Sequence, residues 1–317
     1  MTMKVVYVVS GTRSGSTVLD TVLGGIDGWF SSGELRFLWE RGLLEGRRCG
    51  CGEPVTSCPV WSEVLRHPVG SGGRTLGDVH ARDVIDWQRD ALRVRHTWRL
   101  LHDRRGLLSN ASLAAYAEVL SSLYAAIADV TGARVIVDSS KHPSDAALLR
   151  LLDGVDASYV HIVRDPRAVA FSWQRRKADP DGQEEMPRWG VTETALNWDA
   201  VNAAADALGR KVDPDRFLRF RYEDLVAEPR GSVARIAALV GEPDARLPFV
   251  DEHTAELGTN HTVSGNPGRF RTGPVTLRLD DEWVAHQAAR DRWATTALAL
   301  PMLLRYRYPL RPGHGAA

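Results

Sequence analysis

Lys4 to Val9 is a short apolar run, rich in β-branched residues, that stops at Ser10-Gly11-Thr12-Arg13-Ser14-Gly15. Beyond that loop Val18, Leu19, Val22, Leu23 and Ile26 recur at helical spacing. A continuous apolar run reads as a buried strand, the small residues as a tight turn, and recurrence at three and four as one face of a helix. The opening is therefore strand, loop, helix. The pattern returns twice: Arg134 to Val137 ends at Asp138-Ser139-Ser140-Lys141, and Ser158 to Val163 ends at Arg164-Asp165-Pro166. In each case a proline just past the strand opens a helical pattern. A fourth strand, Phe217 to Phe220, precedes Arg221-Tyr222-Glu223-Asp224-Leu225. Strands alternating with helices predict an α/β fold, a central parallel sheet flanked by helices, with ligands bound at the carboxyl ends of the strands.

A long segment, about residues 34–132, separates the first two of these strands and carries helical patterns with many arginines. It reads as a mainly helical insert in a single domain of residues 1–317. Asp78 to His102 holds Arg82, Arg89, Arg93, Arg95 and Arg99 among Asp83, Asp86 and Asp90. Such alternation predicts a solvated helix laced with ion pairs; the sharper alternative is a helical cap over a substrate site. The polar stretch Ala178 to Pro187 reads as a mobile loop.

Composition narrows the class. The chain has 317 residues, 44% hydrophobic and 25% charged, with 40 Lys plus Arg balancing 40 Asp plus Glu. A partner as polyanionic as nucleic acid calls for a basic excess, so none is expected and any anion site must be local. Val5 to Val9 is too short for a signal-peptide core. Ala297 to Leu304 is broken by Pro301 and falls short of the roughly 20 residues a bilayer span needs. The expectation is a cytoplasmic protein without a membrane span; the oligomeric state is open.

The loop after the first strand is a candidate anion cradle, because a Gly-rich strand-to-helix turn aims backbone N–H groups and a helix dipole at one place. It departs from the nucleotide triphosphatase pattern: only three residues separate Gly11 from Gly15, and Ser16 occupies the lysine position. A second candidate is Val163-Arg164-Asp165-Pro166-Arg167-Ala168-Val169-Ala170-Phe171-Ser172, where Asp165 reads as an N-cap, Pro166 as the first helical residue, and Ser172 as lying on the face that begins at the cap.

These two segments, in this order, resemble the cofactor signatures of sulfotransferases that use 3'-phosphoadenosine 5'-phosphosulfate (PAPS). The likeness extends to Asp138-Ser139-Ser140-Lys141, Arg221-Tyr222-Glu223-Asp224-Leu225 and His261-Thr262-Val263-Ser264-Gly265-Asn266-Pro267-Gly268-Arg269, sparing the Arg-rich insert. The resemblance implies a P-loop-like sulfotransferase fold. It implies that Arg13, Ser14, Gly15, Ser16 and Thr17 hold the 5'-phosphosulfate, that Arg164 and Ser172 hold the 3'-phosphate, that Tyr222 contacts the nucleotide, and that Asn266 and Arg269 close over it. The product nucleotide would be 3'-phosphoadenosine 5'-phosphate (PAP), and the acceptor a hydroxyl of a small molecule or carbohydrate. Arg13 and Lys141 are placed to neutralise the leaving phosphate. Glu34, within Ser31-Ser32-Gly33-Glu34-Leu35-Arg36, resembles the base of the protein-tyrosine sulfotransferases. His142, following Lys141, is the competing base by likeness to the cytosolic small-molecule enzymes.

Two rival readings remain at this level. Val135-Ile136-Val137-Asp138 has the shape of a magnesium-holding strand, as in a P-loop kinase of a small molecule. A nucleotide-binding regulator without turnover would keep the loops alone. Cys49, Cys51 and Cys58 fall in a C-x-C-x6-C pattern that lacks paired C-x-x-C spacing. Even with His67 as a fourth ligand, the expectation is a disulfide or plain thiols and no metal. His96, Trp98 and His102 are candidate lining of an acceptor site, or core residues.

Overall fold

A computed structural model describes residues 2–70, 72–102, 110–175 and 188–311. Five strands form the central sheet: β1 (Met3–Ser10), β2 (Trp29–Gly33), β3 (Val135–Lys141), β4 (Val155–Val163) and β5 (Phe217–Arg221), in the spatial order β2-β3-β1-β4-β5. All neighbours are parallel, with Val5 opposite Ile136 and Tyr7 opposite Tyr159. The alternating α/β architecture is thus as the pattern predicts. The exception is β2: Trp29-Phe30-Ser31-Ser32-Gly33 is too short and too polar to read as a strand, and it forms by pairing with β3.

Val5 to Val9 are all fully buried because the sheet is covered on both faces. Val6 and Val8 pack with Leu19, Val22 and Leu23 of the helix Ser16–Gly24 and with Phe220, Leu225 and Ile236. Val5, Tyr7 and Val9 face the other way and share a cluster with Leu38, Trp39, Trp61, Leu113 and Leu120. The insert therefore completes the core on one side of the sheet.

Within the insert, the helix Ala111–Thr131 begins at Asn110, whose side chain accepts from Leu113 N at 3.0 Å, and ends at Gly132 with φ 66°. By length and composition it is long and apolar enough to cross a bilayer. Here Leu113, Tyr116, Leu120, Leu123, Tyr124 and Ile127 spend that apolar face on the core. The later apolar stretch Ala297–Leu304 divides between the helices Ala289–Leu298 and Leu300–Arg305. The Arg-rich stretch is broken into Ala81–Ala91, Val94–His96 and Thr97–His102, with Arg82, Arg89, Arg93, Arg95 and Arg99 exposed. Arg89 pairs with Glu40 at 3.3 Å and approaches Asp86 at 3.9 Å, as a solvated face should. Ala178 to Pro187 lies outside the described residues.

Two features near the end of the chain position the site. Strands β6 (Thr254–Leu257) and β7 (Gly273–Thr276) pair antiparallel and frame the loop 258–272, which rests on the end of β2 through Val263 N donating to Ser32 O at 3.0 Å. Arg167, wholly buried, pairs with Asp165 at 2.6 Å and donates to Pro309 O and Leu310 O at 2.8 and 2.9 Å.

Candidate functional site

The carboxyl ends of β1, β2, β3 and β4 converge. After β1 the chain turns through Arg13, at φ 62°, and Gly15, at φ 85°. A positive φ at a non-glycine residue costs about 1–3 kcal/mol and persists only where the surroundings impose it. At Gly15 the constraint is also spatial, since a Cβ there would lie 2.5 Å from the Tyr222 ring. Ser16 and Thr17 open the first turn of the helix Ser16–Gly24, so their N–H groups point out of the helix end.

Arg13 joins three segments. Its guanidinium donates to Asn266 Oδ1 at 2.8 Å and stacks 4.9 Å from the Trp173 ring, while its carbonyl accepts from Arg164 Nη1 at 3.0 Å. Burial pulls its pKa down from the usual guanidinium value, against the pull of Glu34. Arg164 also donates to Asp280 O at 2.9 Å and lies 4.6 Å over the Tyr222 ring. As the sequence predicts, Asp165 caps the helix Pro166–Gln174 by accepting from Arg167 N at 2.9 Å; Ser172 is buried on that helix. From the loop 258–272, Asn266 N donates to Thr17 Oγ1 at 3.4 Å and Arg269 to Gly265 O at 3.0 Å. Ser14 Oγ and Arg164 Nε are buried with no hydrogen-bond partner among the described residues. One donor lies in the turn after β1 and the other at the end of β4, and buried donors of this kind call for a partner.

On the other side of the loop, Lys141 sits at the end of β3 with φ 73° and donates to Glu34 Oε1 at the end of β2. Arg41 approaches Glu34 Oε2 at 3.8 Å and donates to Ser264 Oγ at 2.8 Å. Burial pushes the Glu34 carboxyl up, but Lys141 and Arg41 outweigh it and hold it below the usual carboxylate range. His142 caps the helix Pro143–Leu149 with its ring edge-on to Phe37, centroids 6.4 Å apart. Burial, then the charges of Arg36, Lys141 and Arg41, push its imidazole well below the ordinary value, so it stays neutral at physiological pH.

Glu34, Lys141 and His142 line one cavity of about 170 Å³ with Ser10, Phe37 and Trp189. A second cavity of about 300 Å³ lies against Gly15, Tyr222, Leu225, Leu277 and Arg278. A larger, more open groove of about 710 Å³ sits at the amino ends of the strands, beside Lys4, Asp156 and Arg235, away from all of these groups.

The structure thus brings together the residues the sequence singles out and adds three it missed: Arg41, Trp173 and Trp189. Arg41 is carried by a π-helical stretch, Leu38–Leu44, whose spacing no simple periodicity reveals. The proposed acceptor-lining cluster does not form. His96 and His102 contact the carbonyls of Ala91 and Trp98, Trp98 is exposed, and the aromatic lining comes from Phe37 and Trp189. His67 pairs with Asp129 at 2.9 Å, far along a different helix, while the three cysteines, all free, meet His261.

Asp138 is not placed as a metal-holding strand end. Its two oxygens accept from Tyr124 OH at 2.6 Å and from Ser140 N at 2.8 Å, and it is buried. With Ser16 at the lysine position as well, the site lacks both fixtures of a magnesium-dependent kinase.

Comparison with known proteins agrees with this fold. A family model described as "Sulfotransferase family" matches residues 6–246. Among solved structures, a sulfotransferase domain from the curacin biosynthetic pathway superposes with a TM-score of 0.55 at 18% identity, over 97% of this chain and 99% of that one. A sulfotransferase domain from the Synechococcus PCC 7002 olefin synthase does so with a TM-score of 0.55 at 24% identity, over 97% and 95%. No curated protein matches the sequence.

Proposed function

The chain belongs to the sulfotransferase family, and from that premise we propose that it transfers a sulfuryl group from PAPS to a hydroxyl of a small-molecule or carbohydrate acceptor, with no metal at the reacting centre. The observation that carries the donor assignment is the convergence on Arg13 of three segments far apart in sequence, around two buried donors without partners. Arg13, Ser14 and the N–H groups of Gly15, Ser16 and Thr17 would hold the 5'-phosphosulfate. Arg164 and Ser172 would hold the 3'-phosphate, with Asn266 and Arg269 closing from above. Tyr222 and the apolar walls of the 300 Å³ cavity offer a slot for the adenine.

PAPS supplies an activated sulfuryl group with a phosphate as its leaving group. Glu34, ionised and lining the smaller cavity, takes the proton of the acceptor hydroxyl as its oxygen bonds to sulfur. Lys141 and Arg13 neutralise the charge left on the 5'-phosphate as the sulfur–oxygen bond breaks. His142, neutral in the same cavity, is the alternative proton acceptor, and the two variants Glu34→Gln and His142→Ala distinguish them. We further propose that residues 1–317 form one domain, because the insert and the sheet share one apolar cluster, and that this domain acts in the cytoplasm.

The test has two arms. Calorimetry with PAP, no magnesium added, should show binding that Arg164→Ala weakens, and mass spectrometry of acceptor libraries with PAPS should show a sulfonate gain. Tight uptake of magnesium-ATP without PAP binding would overturn the proposal. PAP binding without a sulfated product across the library would favour the non-catalytic regulator.

A further inference from the structure

Cys49, Cys51 and Cys58 belong to the insert, and His261 to the loop 258–272. Their four ligand atoms nonetheless lie within 4.8 Å of one another. His261 Nδ1 is 3.2 Å from Cys58 Sγ and 3.8 Å from Cys49 Sγ. A tetrahedral zinc, with Zn–S about 2.3 Å and Zn–N about 2.0–2.1 Å, spaces its ligands about 3.5–3.8 Å apart. A disulfide would instead bring one pair of sulfurs to about 2.05 Å, and none has formed.

The backbone is shaped for the same purpose. Cys49 N donates to Glu53 O at 2.7 Å and Gly52 N to Cys49 O at 2.9 Å, folding residues 49–53 into a tight turn that presents two thiols from one side. The opposing loop is fixed on both sides of its ligand: Trp61 Nε1 donates to His261 O at 2.6 Å and Gly50 N to Thr262 O at 2.9 Å. A Cβ at Gly50 would collide with Asn260 Oδ1, so only glycine allows the two loops this approach. Three sulfurs and one imidazole select a soft or borderline cation over magnesium or calcium. Four protein ligands leave no open position for water or substrate, the mark of a structural site.

We infer that Cys49, Cys51, Cys58 and His261 bind one zinc ion in a closed tetrahedral site that clamps the insert to the loop 258–272. Spacing along the chain argues against this, because C-x-C-x6-C is not a paired motif and His67 is not the fourth ligand. The fold supplies that ligand from 203 residues beyond Cys58. Each thiol gives up its proton on binding, and His261 binds through Nδ1 as the neutral ring. Arg269 reaches Arg48 O at 3.0 Å from the same loop, one residue before the first thiol, so the clamp also fixes the segment carrying Asn266 and Arg269.

The test is elemental analysis of the untagged full chain, expressed with zinc supplied and purified without chelator. One zinc per chain is expected. It should be lost in Cys58→Ser and His261→Ala and retained in His67→Ala. Cobalt exchanged into the wild type should give the intense visible absorption and sulfur charge-transfer bands of a tetrahedral thiolate site. Should a ligand variant fail to fold, the wild-type stoichiometry and cobalt spectrum still decide. Folded wild type that holds no stoichiometric metal after zinc reconstitution, or a disulfide among these cysteines in mass spectra, overturns the assignment. None of these readouts depends on sulfuryl transfer.

Discussion

The two sides of the β1 loop are built on different principles. On the side of Arg13, Arg164 and Asn266 the groups are held by short hydrogen bonds to main chain and to one another. On the side of Glu34, Lys141 and His142 the geometry depends on a buried ion pair at the ends of β2 and β3 and on side chains from the insert. The first side suits a ligand of fixed shape and charge. The second, walled by Phe37, Val94 and Trp189, can be reshaped by changing side chains alone.

Substitutions can break this contrast in order of size. Glu34→Gln should cut turnover about 10²–10⁴-fold, the range for a lost general base, with PAP affinity little changed. His142→Ala should keep near-normal turnover in the same assay, and the opposite ranking would reassign the base. Arg13→Ala should lower kcat/KM by about 2.7–4 kcal/mol, as loss of a transition-state donor does, seen in steady-state kinetics at saturating acceptor. Arg164→Ala should weaken PAP binding in calorimetry by about 1.5–3 kcal/mol, the range for a charged hydrogen bond, while leaving affinity for a nucleotide lacking the 3'-phosphate nearly unchanged.

A smaller effect is expected in the core behind the site. Burial raises the Asp20 carboxyl to about 7 and that of Asp138 to about 6. A carboxyl whose folded pKa lies above its unfolded one holds its proton more tightly when folded. Stability should therefore fall as pH rises from about 4 towards 7, with a slope of at most about 1.4 kcal/mol per pH unit for each group. Denaturant unfolding of Asp20→Asn should show a flatter pH dependence over that window. Smallest of all, Arg89→Ala on the solvated face of the insert should change stability by no more than about 1 kcal/mol and leave turnover intact, in line with exposed ion pairs.

Legibility followed the same divide. The strand ends after β1, β4 and β5 could be read because a sheet buried on both faces forces a continuous apolar run, and the turn beyond must be small or capped, whereas β3 runs on past Val137 through the polar Asp138-Ser139-Ser140 to Lys141. Asp165 and Pro166 announced their helix in the same way. What stayed hidden depends on distant partners. β2 is a strand because β3 lies beside it, Arg41 reaches Glu34 through a π-helical stretch, and His261 meets thiols that lie more than two hundred positions earlier. The fully buried Tyr124, which holds Asp138, lies on a helix whose apolar length alone would suit a membrane equally well.

Arg167 has one more consequence, for the order in which the protein is made. Its guanidinium is sealed inside the turn that presents Arg164, yet two of its acceptors are the carbonyls of Pro309 and Leu310. During synthesis that cation waits, half satisfied, through more than a hundred further residues before its last acceptors leave the ribosome. The turn that presents Arg164 therefore gains its last main-chain acceptors only once residues 309 and 310 are in place.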